Sequence, residues 1–131
     1  MSVDRRTRER VFERDGQRCV ACGTTYGLTL QHRANRGMGG GKNAERMSNY
    51  LTLCHHDNVQ LEASAGFARK GRAYGWKCSR NQVTTPADVP VWFVFERAWF
   101  FLDDDGTRLR PMDREQEVLT RAAQDQLAAV A

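Results

Sequence analysis

The residues best suited to chemistry fall between Cys19 and Asn58, reading C-V-A-C-G at 19–23, L-Q-H-R at 30–33 and N-Y-L-T-L-C-H-H-D-N at 49–58. A Cys-x-x-Cys knuckle followed at a distance by further Cys and His residues is a metal-ligand pattern, and thiolate sets of this kind suit zinc. Disulfides or redox chemistry are the rival reading for Cys19, Cys22, Cys54 and Cys78. They fit less well, because the N-terminus is charged where an export signal would be apolar. His32, closing a short strand, is placed to take a proton from water. Side-chain oxygens near it are the ligands a hard cation such as Mg²⁺ prefers. A base for water and a cation for developing negative charge are what phosphodiester hydrolysis requires.

The elements that must position these groups belong to a chain of 131 residues, enough for one small domain with appendages. A domain of this size has a modest core and gains from a staple. No apolar run approaches the roughly 20 residues of a membrane span, so a cytosolic chain is expected. Net charge is +4 but unevenly spread: residues 1–80 hold fifteen Lys/Arg against seven Asp/Glu, and residues 81–131 hold five against nine. The basic part contains every motif above, and DNA is the polyanion it suggests as partner. The division gives a motif-bearing module over 1–80 and a C-terminal extension over 81–131.

The fold class is read as α+β. Ser2 can cap a helix running to about Glu13, anchored by Val3, Val11 and Phe12, with Arg5, Arg6, Arg8, Arg10 and Arg14 on its other face. Asp15-Gly16 ends it, and the knuckle follows. Leu28 to Gln31 form a strand that delivers His32. Residues 34–48 are glycine-rich and polar, hence a loop, and Tyr50 to Leu53 form a second strand. A helix from His55 is expected to send Val59, Leu61, Ala65 and Phe67 toward the core and to break near Gly71–Gly75. In the extension, residues 92–95 and 99–102 read as a hairpin, followed by an Asp103–Gly106 turn and a short segment over 107–109. Residues 113–130 show a helical period. The tail aromatics read as packing groups rather than base-stacking surfaces.

In its order of strand, glycine-rich loop, strand and helix, together with the residues quoted, the chain resembles the HNH endonuclease family. The resemblance covers roughly residues 5–65. It is strongest with small HNH proteins of tailed phages infecting actinobacteria, which share a block like Gln31-His32-Arg33 with Arg36 to Gly40. They also have a C-terminal segment similar to Gly75-Trp76-Lys77, Pro90-Val91 and Leu102-Asp103-Asp104. The resemblance implies a ββα-metal finger stapled by zinc, with an N-terminal helix, a C-terminal β-hairpin and a terminal helix. It makes His32 the general base. Asn49, five residues before Cys54, would orient the catalytic loop, and Asn58, four residues after Cys54, would be a catalytic metal ligand. Gln31 stands where the family usually has an acidic or histidine ligand, so Gln31 and Asn58 would hold Mg²⁺ or Mn²⁺ through neutral oxygens.

The family's zinc site is often two Cys-x-x-Cys pairs. Cys19, Cys22 and Cys54 match three positions, and Asp57 stands at the fourth, with Cys78 and His56 as rivals. His55 shares a helix face with Asn58 and reads as a polar residue at the helix start. The run at 37–41 lacks the ending of a phosphate loop, since Lys42 precedes Asn43. Arg33, Arg36, Lys42 and Arg46 around it are expected to bind the DNA backbone. The implied activity is nicking or cleavage of double-stranded DNA, in support of phage genome packaging beside the terminase. The alternative is a weakly active or inactive zinc module that binds DNA or a packaging protein.

Overall fold

In the segment 50–54 every side chain is buried, as expected of a strand covered on both sides. The computed structural model describes residues 4–34, 45–78 and 85–129. Their order is α1 (Arg5–Arg14), β1 (Leu28–His32), β2 (Tyr50–Cys54), α2 (His55–Ala63), α3 (Ala65–Ala73), β3 (Val91–Phe93), β4 (Ala98–Leu102), β5 (Arg108–Leu109) and α4 (Asp113–Ala128), with short 3₁₀ turns over Met47–Asn49 and Pro86–Asp88. β1 and β2 form one antiparallel pair, and β3, β4 and β5 form a second antiparallel sheet in that order. The chain is therefore mixed α+β. Among the described residues no helix is long and apolar enough to cross a membrane.

Asp4, not Ser2, caps α1: its carboxylate accepts from the Thr7 N–H at 2.8 Å. Ser2 and Val3 lie outside the described residues. Val11 is fully buried, and Arg14 is buried too, which corrects the expectation of Arg14 on the arginine-rich face opposite Val11. The Arg14 guanidinium forms a two-pronged pair with Asp15 and donates to the carbonyls of Met47 and Tyr50. Asp15 in turn accepts from the Thr52 N–H at 2.9 Å, so this ion pair docks α1 onto β2.

One core runs through both halves of the chain. Cys19, Val20, Leu51, Leu53, Leu61 and Trp76 pack with Val91, Phe93, Phe100 and Leu102. The boundary expected near residue 80 therefore does not separate two cores. Val20, inside the knuckle, joins the sheets: its N–H donates to Thr52 of β2 and its carbonyl accepts from Val94, just past β3. Behind them Tyr74 stacks against Trp76 and Trp99, and Trp92 lies against both Tyr74 and Trp99. The tail tryptophans are packing groups. Phe95 differs, being exposed with the Arg18 guanidinium 3.8 Å above its ring.

The helix expected after His55 is two helices. Ser64 adopts an extended conformation between them, ends α2, and caps α3 through its hydroxyl on the Phe67 N–H. Val59 and Ala65 are exposed, contrary to expectation, while Leu61 is buried. At the end of α3, Gly75 has φ +78°, and a Cβ there would fall 1.8 Å from the Pro90 carbonyl oxygen. Only glycine fits this approach. It brings β3 against α3, where the Trp92 N–H donates to Tyr74 and the Trp76 indole donates to the Trp92 carbonyl.

Candidate functional site

The knuckle is built by its own backbone. The Gly23 N–H donates to the Cys19 carbonyl and the Cys19 N–H to the Thr24 carbonyl, with Gly23 at φ +82°. The turn sets Cys19 and Cys22 on one side. Across from them, Cys54 ends β2 and caps α2, its sulfur accepting from the Asp57 N–H at 3.4 Å. The first turn of α2 then places Asp57 beside it. Ligand atoms of Cys19, Cys22, Cys54 and Asp57 all lie within 4.8 Å of one another.

Their spacing suits a tetrahedral ion. Sulfurs bound at ~2.3 Å to one zinc stand about 3.8 Å apart by tetrahedral geometry. The Cys22 and Cys54 sulfurs are 3.8 Å apart, and the Cys19 sulfur is 3.2 Å from an Asp57 oxygen. Three thiols and a carboxylate can hold a metal such as zinc. Burial pushes the Cys19 and Cys22 thiols up from their ordinary values. Burial also acts to raise Asp57, but hydrogen bonds from Cys22, Cys19, His56 and Cys54 prevail and hold its carboxyl below the usual range. A cation at the centre would reverse the penalty on the thiolates.

Asp57 is thus the fourth member, and its two rivals are elsewhere. Cys78 is buried by the segment after β1, where its N–H donates to the Arg33 carbonyl. The His56 side chain is exposed, with Nδ1 3.3 Å from the second Asp57 oxygen. It touches the proposed ligand from outside the cluster.

The second group gathers at the other end of β1. Residues directly opposed in the β1–β2 pair share a face. His32 therefore lies with Tyr50, and Gln31 with Leu51 and Thr29. Asn58 on α2 donates its amide to the Thr29 hydroxyl at 2.9 Å, which brings it to the strand face that Thr29 shares with Gln31. Gln31 is buried and Asn58 half-buried. His55, the first residue of α2, is exposed and donates its N–H to the Gly27 carbonyl.

Asn49 is fully buried and grips the chain just past His32. Its Oδ1 accepts from the Ala34 N–H at 2.8 Å, its amide donates to the Ala34 carbonyl at 3.0 Å, and its own carbonyl accepts from the Arg33 N–H at 2.7 Å. These three bonds fix the backbone on which His32 ends β1. The imidazole lies against the Tyr50 ring, with centroids 5.1 Å apart. His32 Nε2 is 3.4 Å from a Glu45 oxygen, and the other Glu45 oxygen accepts from the Tyr50 hydroxyl at 2.5 Å.

Arg33 is a correction. It was expected at the DNA backbone, yet its side chain is wholly buried and donates to the carbonyls of Gly75, Ser48, Pro86 and Val89 at 2.7–2.9 Å. Alternation along the extended chain turns it away from His32 into the interior. Arg46 is half-exposed and pairs with Asp104 at 3.0 Å. Asp104 also accepts from the Ser48 hydroxyl and N–H, tying the β4–β5 turn to the start of β2. Arg36, Lys42 and the glycine run at 37–41 lie outside the described residues.

Sequence reading missed Glu45, Thr29 and the Arg14–Asp15 pair. Glu45 had a signal, as the only carboxylate between Ala34 and Ser48. The family-model scan and the comparisons with curated proteins and with solved structures give no match to this chain.

Proposed function

We propose that this chain is a zinc-stapled HNH-type endonuclease that hydrolyses DNA. The observation that supports it best is the pairing of Asn49 with Ala34 beside His32. A buried amide holds the backbone next to an imidazole at the mouth of a β1–β2–α2 unit, with Asn58 reaching β1 from the helix. Cys19, Cys22, Cys54 and Asp57 hold the structural zinc that fastens β2 and α2 to the knuckle.

His32 takes a proton from the attacking water. The hydroxyl oxygen bonds to phosphorus as the bond to the 3′ oxygen breaks, and that oxygen leaves with a proton from solvent. A divalent ion such as Mg²⁺ or Mn²⁺, held through the oxygens of Gln31 and Asn58, would supply positive charge beside the leaving oxygen. Asn49 keeps His32 in place. The exposed Arg6 and Arg8 on α1, with the basic charge of residues 1–80, favour a duplex polyanion as substrate.

The neutral side chains of Gln31 and Asn58 favour a second reading: a zinc module that binds DNA or a packaging protein without cutting. Supercoiled plasmid incubated with Mg²⁺ or Mn²⁺ separates the two. The protein should nick it, and His32→Ala should slow nicking by roughly 10²–10⁴-fold. Equal nicking by both proteins defeats the assignment of His32. No nicking by either moves the conclusion to the binding module.

A further inference from the structure

A buried imidazole nitrogen without a hydrogen bond needs a reason, since such atoms are usually satisfied. Nε2 of His32 is one of them, covered by protein and lacking a hydrogen-bond partner among the described residues. The Glu45 carboxylate lies 3.4 Å away. A quarter of the His32 side chain is exposed, and because Nε2 is covered, that exposure belongs to its other atoms.

We infer that Glu45 is the positioning residue for His32, receiving the Nε2–H so that the Nδ1 lone pair faces the reacting water. The inference rests on the hydrolytic reading for its purpose, though not for its geometry. Glu45 is itself held: the Tyr50 hydroxyl donates to Oε2 at 2.5 Å, and Oε1 lies 3.4 Å from the histidine Nε2. Tyr50 is buried, and its ring lies against the imidazole at a tilt of 57°. One tyrosine therefore orients both partners, the carboxylate through its hydroxyl and the imidazole through its face. The opposed register of His32 and Tyr50 in the β1–β2 pair makes this arrangement a product of the strands.

A carboxylate behind an imidazole does two things. It fixes which nitrogen bears the proton, and it stabilises the cation formed when the other nitrogen accepts one. The present separation is longer than a finished hydrogen bond. Catalytic hydrogen bonds are often long in a free enzyme and shorten when substrate closes the site. The arrangement also puts a fixed negative charge near a site whose proposed metal ligands are both neutral. That charge sits behind the base, where it can receive the Nε2–H without occupying the cation's oxygen positions.

The test uses the full zinc-loaded chain labelled with ¹⁵N. With a cleavage-resistant DNA duplex bound, the wild-type protein should show a downfield, exchange-protected N–H correlation from His32 Nε2, assigned by its loss in His32→Ala. Glu45→Ala should abolish that protection with the circular dichroism spectrum unchanged, and should lower kcat for plasmid nicking roughly 10–100-fold with KM nearly unaltered. Glu45→Gln keeps an acceptor of the same shape without charge. It should retain a protected signal, shifted upfield, and have intermediate activity. Should Glu45→Ala fold poorly, Tyr50→Phe keeps the ring and releases the carboxylate, and should broaden the same signal. A His32 ring signal identical in wild type and Glu45→Ala, or a proton found on Nδ1 with Nε2 bare, overturns the pairing. If the ring signals behave as expected while the wild-type protein cuts nothing, the pairing stands and the hydrolytic reading falls.

Discussion

The sulfurs of Cys22 and Cys54 stand 3.8 Å apart although thirty-two residues separate them along the chain. That distance matches the edge of a tetrahedron of thiolates around zinc, and the pair joins the knuckle to the junction of β2 and α2. Closing so long a loop is an entropic cost that a metal ion offsets. Apparent binding energies of roughly 10–16 kcal/mol are known for structural zinc sites in small fingers, and that energy is folding energy. We therefore expect one tightly bound zinc per chain. A chelator should lower the melting temperature sharply. Cys22→Ser, which changes an exposed residue and so disturbs little packing, should melt lower at the outset and respond weakly to chelator. A wild-type melting curve indifferent to chelator, with no metal by elemental analysis, would refute the staple.

Asp57 gives that centre a distinctive dependence on pH. Its carboxyl lies below the usual range despite burial, so at neutral pH it is ready to bind a cation. The Cys19 and Cys22 thiols are pushed upward by burial and must lose protons on metal binding. Zinc affinity should consequently rise with pH through the neutral range, with protons released into a weak buffer. Asp57→Cys should steepen the dependence by adding another thiol, and Asp57→Ala should weaken binding at every pH. Indicator titration at several pH values distinguishes these cases. An affinity independent of pH between about 6 and 8 would contradict thiolate ligation.

Much of the candidate metal cluster was legible because ligand chemistry demands particular residue types at short spacings. Cys19, Cys22, Cys54 and Asp57 are all polar atoms placed by turns local in sequence, with one strand register joining the two pairs. The β1–β2 pair was legible for the same reason, since Tyr50 to Leu53 follow a plain apolar pattern. The fate of Arg33 was hidden. A basic residue beside a glycine-rich segment reads as solvated, and nothing local announces four carbonyls drawn from residues 48, 75, 86 and 89. The break at Ser64 was hidden too, because the apolar period runs on through it. Capping by one hydroxyl and the approach of Gly71 to Leu61 decide where α3 turns.

Arg33 offers a stability test independent of any activity. Burial works against its charge and pushes its pKa down. Four carbonyls compensate; that of Pro86 also accepts from the Val89 N–H, while for those of Gly75, Ser48 and Val89 the guanidinium is the donor in the bonds described. Arg33→Met keeps apolar volume yet strands these oxygens. Losing a buried cation that makes four hydrogen bonds should cost about 3–5 kcal/mol. Chemical denaturation of the zinc-loaded protein measures this, and a loss under about 1 kcal/mol would show that the carbonyls find other donors. Arg46→Met, at a half-exposed pair, should cost at most about 1 kcal/mol in the same assay.

Acid should release the clasp formed by Asp104. Burial acts to raise its carboxyl, but bonds from the Ser48 hydroxyl and N–H and from Arg46 prevail, so the folded value lies below the ordinary one. A carboxyl depressed in the folded state stabilises it fully above the unfolded pKa, about 3.9. The contribution fades as pH falls from there through the folded value. Asp104→Asn removes the charge at every pH. The difference in stability between wild type and Asp104→Asn should thus be constant near neutrality and shrink below about pH 4. The β4–β5 turn is tied to the start of β2 only through this side chain and its partners at Ser48 and Arg46 in the bonds described. Amide exchange at Ser48, whose N–H donates to the carboxylate, should therefore quicken in the variant. A stability difference that grew on acidification would reverse the sign of the clasp and rule it out.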